Sequence, residues 1–278
     1  MAVAVVTDSS SRLCADDCSR WSIRQVPLHI LVDGENLRDG VDEVPAGIHE
    51  RGGVTTAGAT PAELADAYRC ALRDSGGDGV VAVHISGALS STMTAAEQAA
   101  REFGAAVRVV DSKSAAMGTG FVALAAARAA AEGMDLGGVV AQALSAARRV
   151  RAFIVVQRLD NLRRSGRVGT AAAWLSTALA IKPLLRVDDT GKLVLAQRVR
   201  TVTKAHAAMI DQVVDAVGGG TAAIAVHHVD NAAAASEVAK ALAERLPAVD
   251  APTVSDMGPV LAVHVGAGAV GVCVDVTA

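Results

Sequence analysis

GVVAVHIS, residues 79–86, is an unbroken run of apolar, mostly β-branched residues that closes on a serine. A strand with one wet face alternates apolar and polar residues. A continuous run marks a strand covered on both faces, as in a parallel sheet under helices. AVAVVTD (2–8) and AVRVVDS (106–112) have the same character, and IRQVPLHILVD (23–33) reads as a further strand. Between them PAELADAYRCALRDSG (61–76) and STMTAAEQAAREFG (91–104) carry helical periodicity and end at glycine. Two more helical stretches, 115–132 and 136–149, follow, the second ending on the basic pair Arg148–Arg149, which suits a helix C-terminus. The alternation of strand and helix predicts an α/β fold whose first half is a Rossmann-like parallel sheet flanked by helices.

The texture changes after FIVVQ (153–157). IKPLLRVDDTGKLVLAQRVR (181–200) is two strand-like runs joined by the turn signal Asp188–Gly191, a hairpin. TAAIAVHHV (221–229) and the stretch 264–276 read as further strands, with helices at 202–217 and 232–246 and a stop at Gly218–Gly220. A hairpin among helices implies a mixed sheet. The sequence therefore predicts two domains, 1–155 and 156–278, the second a mixed α/β sheet.

Composition narrows the function classes. The 278 residues carry 26 Lys and Arg against 29 Asp and Glu, a net charge of −3, so the phosphate-neutralising excess of a nucleic-acid binder is missing. Only 2% of residues are aromatic against 51% hydrophobic, which leaves few platforms for stacking bases or sugars. Mean hydropathy is positive, +0.36. The 18-residue uncharged stretch Met257–Val274 contains Pro259, His264 and four glycines and makes a poor lipid-facing helix. MAVAVVTDSS has no basic leader and reaches Asp8 early, so a cytoplasmic protein is expected. Cys14, Cys18, Cys70 and Cys273 fit that compartment, and with no Cys/His cluster near Cys14 and Cys18 no metal site is expected.

Chemistry is expected where strands end. The first ends in TDSSS (7–11), the third in ISGALSST (85–92) and the fourth in VDS (110–112). In an open α/β sheet ligands bind beyond the carboxyl ends of strands, where helix N-termini favour an anion. Each Ser, Thr or Asp there has an alternative role as a helix cap. HVGAGAVG (264–271) contains G-x-G-x-x-G from Gly266, but the seven residues after Gly271 leave no room for the following helix and ribose-binding acid of a dinucleotide site. G-x-x-x-x-G-K-[ST], G-x-S-x-G and H-E-x-x-H are all missing from the sequence. A Ser/His hydrolase or transferase acting on a small acyl or anionic substrate, with His264 activating Ser90 or Ser9, remains an alternative. RLDNLRRSGRVG (158–169) is a basic loop between a strand and a helix, from which Arg167 could present its guanidinium fork to an oxyanion. QRVRTVTKA (197–205) is either a partner-facing surface or an exposed strand edge.

In chain order these segments resemble the DegV family of bacterial fatty-acid-binding proteins. VTDSSSRL (6–13), VPLHILVDGENLRDG (26–40), TTAGATP (55–61), ISGALSST (85–92), VVDSKSAAMGTG (109–120), RLDNLRRSGRVG (158–169), IKPLL with RVRTVTKA, and HVGAGAVG are each similar to a family motif in its place. The resemblance implies a two-domain α/β protein holding one long-chain fatty acid in an interdomain tunnel, without cofactor or turnover of its own. It also implies an ATP-using fatty acid kinase subunit as partner, which phosphorylates the presented carboxylate to acyl phosphate for phospholipid synthesis. Peripheral membrane contact would serve lipid exchange. By the same resemblance Thr56, Ser86, Ser90 and His264 would bind the carboxylate. Arg167 would stand at the pocket mouth, with Asp8, Ser9, Ser10, Gly266 and Gly268 nearby, the glycines letting backbone approach the head group. The chain departs from the family pattern at Ala57, Gly58, Ala59, Gly87, Ser91, Ser165, Val265 and Ala267, and a diverged member binding another lipid is the further alternative.

Overall fold

The computed structural model describes residues 2–168 and 182–277. The chain divides into two compact units: 1–44 with 56–148, and 45–55 with 149–278. The helix expected after Gly169, and Ile181 at the start of the expected hairpin, lie outside the described residues.

The first unit runs β1 (Ala4–Asp8), α1 (Ala15–Arg20), β2 (Ile23–Val26), β3 (His29–Val32), β4 (Glu35–Arg38), β5 (Thr55–Ala57), α2 (Pro61–Asp74), β6 (Val80–His84), α3 (Thr92–Ala100), β7 (Val107–Asp111), α4 (Met117–Ala131) and α5 (Leu136–Arg149). β1, β2, β6 and β7 form a parallel sheet in the order β2-β1-β6-β7. Val80–Val83 are fully buried, which is why GVVAVHIS shows no alternation. IRQVPLHILVD is not one strand. The chain leaves the parallel sheet after Val26, and β3 joins a separate sheet ordered β4-β3-β5. Pro27, with no N–H to give a ladder, stands at the break. The helix expected to run to Gly104 stops at Ala100 and continues as a 3₁₀ turn, Arg101–Ala106. Thr60 starts α2 through a complete capping box with Glu63, followed by Pro61 at the first helical position.

The second unit runs β8 (Val150–Val155), α6 (Asp160–Arg164), β9 (Lys182–Val187), β10 (Leu193–Val199), α7 (Val202–Val217), β11 (Thr221–His228), α8 (Ala232–Arg245), β12 (Thr253–Asp256), α9 (Pro259–Val265) and β13 (Val270–Thr277). Its mixed sheet is ordered β10-β9-β8-β13-β11-β12, with β11 and β12 parallel and the other pairs antiparallel. β8 sits in this sheet between β13 and β9, whereas the sequence assigned residues up to 155 to the first domain. A continuous apolar strand reads alike in either sheet, so its membership is settled by pairing.

The stretch 264–276 is likewise not all strand. Residues 259–265 form the helix α9, with Pro259 in its first turn, and β13 begins only at Val270. Short apolar runs such as VLAVHV do not distinguish helix from strand by period. Here Pro259 fits the first turn of a helix, where no N–H is required. The main core packs α7 and α8 on the sheet through Met209, Val213, Leu242, Val226 and Val272. A second, smaller cluster lies under α6 and α9: Leu162, Val168, Val229, Met257, Ala262 and Ala269. Among the described residues no helix is long and apolar enough to cross a membrane.

Candidate functional site

In the first unit the three hydroxyl-rich turns lie side by side, because β1, β6 and β7 are adjacent and parallel. Their side chains are used mainly in two-residue local turns, and Asp8 through its turn also caps the 3₁₀ helix Ser9–Ser11. Asp8 Oδ1 accepts from Ser10 N at 3.1 Å, Ser86 Oγ from Ala88 N at 3.2 Å, and Ser90 Oγ from Thr92 N at 3.2 Å. Asp111 Oδ1 accepts from Lys113 N at 2.8 Å and Ser112 Oγ from Ser114 N at 3.2 Å. Such turns fix a loop without help from the rest of the fold.

Longer-range bonds then join the turns. Ile85 N donates to Asp8 Oδ2 at 3.0 Å, Ser86 N to Ser114 O at 2.8 Å, and Gly87 N to Asp111 Oδ2 at 3.3 Å. Ser9 Oγ accepts from Leu28 N at 3.0 Å. The Ser90 hydroxyl lies 2.9 Å from that of Thr92. A Cβ on Gly58 would come within 2.6 Å of Thr92 Oγ1, so the chain just past Thr56 abuts the Ser90–Thr92 turn. Thr56, half-buried at the centre of β5, Ser86, fully buried, and Ser90, half-buried, thus come from neighbouring segments of one unit.

Beneath this edge lies a buried chain of polar groups. Asp8 Oδ2 accepts from His84 Nδ1 at 3.0 Å, and His84 Nε2 lies 2.9 Å from the Tyr68 hydroxyl. Asp8, His84 and Tyr68 are all fully buried. The Asp8 carboxylate also accepts from the Ser10 hydroxyl. Burial, and then the charge of Asp8, raise the pKa of Tyr68, so its phenol stays protonated. The Asp–His pair has the form of the acid–base half of a catalytic triad, but its outer nitrogen meets a phenol and no solvent, so His84 activates no serine. Away from this edge a cleft of ≈ 730 Å³ opens at the amino ends of β1 and β2, beside Cys18, Trp21 and Ala130.

In the second unit His264 occupies the last turn of α9. Burial, and then the charge of Arg167, lower its pKa to about 4, so the imidazole is neutral at pH 7 and keeps one N–H to donate. Burial also lowers the pKa of the half-buried Arg167, though a guanidinium stays charged throughout the physiological range. Arg167 N donates to Leu162 O at 3.2 Å, closing the turn after α6. RLDNLRRSGRV is therefore a short helix and turn, not a plain loop.

The glycines of HVGAGAVG have a specific packing role. Gly266 and Gly268 take φ +80° and +77°, the left-handed region that glycine enters without strain. A Cβ at Gly266 would sit 3.0 Å from Asn161 Nδ2, and one at Gly268 would sit 2.7 Å from Gln157 Cγ. The space beside each glycine is thus filled by an amide side chain of the chain itself. Gly268 O accepts from Asn231 Nδ2 at 3.0 Å and Gln157 Nε2 at 3.3 Å, and Gly268 N donates to Val229 O at 2.8 Å. Val265–Ala267 line a cleft of ≈ 730 Å³ together with His49, Arg158, Arg163 and Arg164. His49, buried in a 3₁₀ turn that packs on α9, places Nε2 3.1 Å from Asp230 Oδ2.

Gln157, Asn161, Asn231 and the His49–Asp230 pair do not stand out in the sequence. No local pattern marks them, since their partners lie roughly 40 to 180 residues away. Among the described residues no group of three or more His, Cys, Asp or Glu is placed to hold a metal ion. Cys14 serves as the N-cap of α1, its sulfur accepting from Asp17 N at 3.4 Å.

The DegV family model matches residues 2–276. The chain belongs to the DegV family. A DegV domain-containing protein of Mycobacterium tuberculosis is 67% identical over 278 residues, covering 100% of this chain and 99% of its own. The DegV family protein of Thermus thermophilus, solved for its fatty acid binding, superposes with a TM-score of 0.89 at 32% identity, covering 100% of both chains. DegV of Bacillus subtilis, a fatty acid binding protein, gives 0.89 at 26% identity, again over 100% of both.

Proposed function

We propose that this DegV protein binds a long-chain fatty acid, its tail in a closed apolar tunnel and its carboxylate held by Thr56, Ser86, Ser90 and His264. The observation that carries the reading is the full-length match, at 32% identity, to a DegV protein whose fatty acid binding was the subject of its structure. The chemistry supports it. Each methylene withdrawn from water contributes about 0.8 kcal/mol, which favours enclosing a long tail. A buried carboxylate requires hydrogen-bond donors, and three hydroxyls with a neutral imidazole supply them without a metal. Arg167, whose charge already acts on His264, offsets the negative head group. We propose further that the chain is a presenting protein. A separate ATP-using kinase subunit phosphorylates the carboxylate at Arg167, and no residue of this chain takes part as acid, base or nucleophile.

Native mass spectrometry of protein purified from a bacterial host tests the binding. A population carrying the mass of one long-chain fatty acid is expected, and extraction identifies the acid. An apo mass alone, unchanged after incubation with oleic or palmitic acid, overturns it.

A further inference from the structure

The short segment after β8 carries Arg167, and its helix α6 also reaches the element that carries His264. Asn161, on α6, donates from Nδ2 to Val263 O at 3.3 Å, the carbonyl next to His264 in the final turn of α9. That carbonyl is among the last of the helix, where no intrahelical N–H remains to pair with it. The orientation of the Asn161 amide is fixed by Arg164, whose Nη2 donates to Oδ1 at 2.8 Å. A guanidinium only donates, so the amide oxygen must face Arg164 and its NH₂ group must face α9. The same NH₂ fills the space beside Gly266, where any Cβ would meet it at 3.0 Å. Below it Leu162, 1% exposed, packs with Ala262 and Ala269 in the small cluster shared by α6 and α9.

We propose that Asn161 is a positioning residue for His264: it ties off the end of α9 and sets the direction in which the imidazole is presented, with Arg164 locking its amide. Resting on the reading of His264 as a carboxylate donor, this makes α6 a single bracket for Arg167 and His264, holding the first through Leu162 O and the second through Val263 O. It also accounts for glycine at 266, since a side chain there displaces the amide.

The test is a double-mutant cycle on delipidated full-length protein, read as the dissociation constant for oleic acid, with thermal midpoints recorded in parallel. Asn161→Ala is expected to weaken binding three- to tenfold in the wild-type background, the scale of one net hydrogen bond, and to have no further effect in the His264→Ala background. Asn161→Leu, of similar size but with neither donor nor charge, should behave like Asn161→Ala and guards against a simple packing defect. In either variant the ¹⁵N resonances of the His264 ring should move. Equal weakening in both backgrounds, or unchanged affinity with unmoved ring signals, overturns the proposal. If His264→Ala itself binds as wild type, the head-group reading falls and the proposal with it; a His264 effect without an Asn161 effect removes the proposal alone.

Discussion

The serine-rich edge of the first unit and the glycine turn after α9 in the second are held by opposite means. At the first, polar side chains fold their own loops: Asp8, Ser86, Ser90, Asp111 and Ser112 each accept from an N–H two residues on. At the second, the turn makes few bonds of its own and is gripped by Gln157, Asn161 and Asn231 from distant parts of the chain. A self-organised edge tolerates changes around it but not within it. A gripped turn is sensitive to the residues that hold it and to any side chain placed in their way.

The largest effect should come from breaking the first region at its root. Asp8 is fully buried and accepts from Ser10 N, the Ser10 hydroxyl, Ile85 N and His84 Nδ1. Asp8→Ala leaves these donors buried without an acceptor and should cost about 3 kcal/mol or more, measured by urea unfolding. A loss below about 1 kcal/mol would show that the edge does not depend on this carboxylate.

The gripped turn gives a smaller, sharper contrast. Gly268→Ala meets both an unfavourable φ and Gln157 Cγ at 2.7 Å, whereas Gly40, at φ +79°, has nothing within 4 Å of a new Cβ. Gly40→Ala should cost only the backbone strain, about 1 kcal/mol, and Gly268→Ala about 1–2 kcal/mol more. Equal losses would mean that Gln157 yields without cost.

An effect of comparable size, confined to acid, is one of pH. Folding lowers the pKa of His264 from 6.5 to about 4. Between these values the unfolded chain binds a proton that the folded chain refuses, so this group's contribution is neutral at pH 7 and increasingly destabilising as pH falls through that window. His264→Gln removes the titration. Relative to wild type it should gain about 2 kcal/mol between pH 7 and pH 4.5, in paired urea titrations. Parallel pH profiles would show that the imidazole protonates freely in the folded protein.

The parallel sheet was legible because Val80–Val83 and their neighbours are buried on both faces and say so residue by residue. The hairpin was legible because Asp188 and Gly191 make its turn locally, Asp188 Oδ1 accepting from Thr190 N at 2.9 Å and Lys192 N at 3.0 Å. α9 was not, since seven mostly apolar residues suit helix and strand alike and only Pro259 marks a helix start. The boundary expected at residue 155 leaves β8 on the side of the first domain, because its pairing with β13 joins residues more than 100 positions apart. The same distance hid Asn161, whose partner Val263 carries no mark of its role. The hydroxyls and His264 are proposed as head-group contacts from motif order, and the bonds around them became legible only through the fold.

The central claim is that this chain recognises a fatty acid by its carboxylate as well as its tail. Its most direct test is a calorimetric titration of delipidated protein with a long-chain fatty acid and, in parallel, with the methyl ester of the same chain. Saturable binding of one equivalent of acid is expected, with the ester at least tenfold weaker because it removes the charge that the hydroxyls, His264 and Arg167 are proposed to hold. A flat titration with the acid, or equal affinity for acid and ester, would contradict the account.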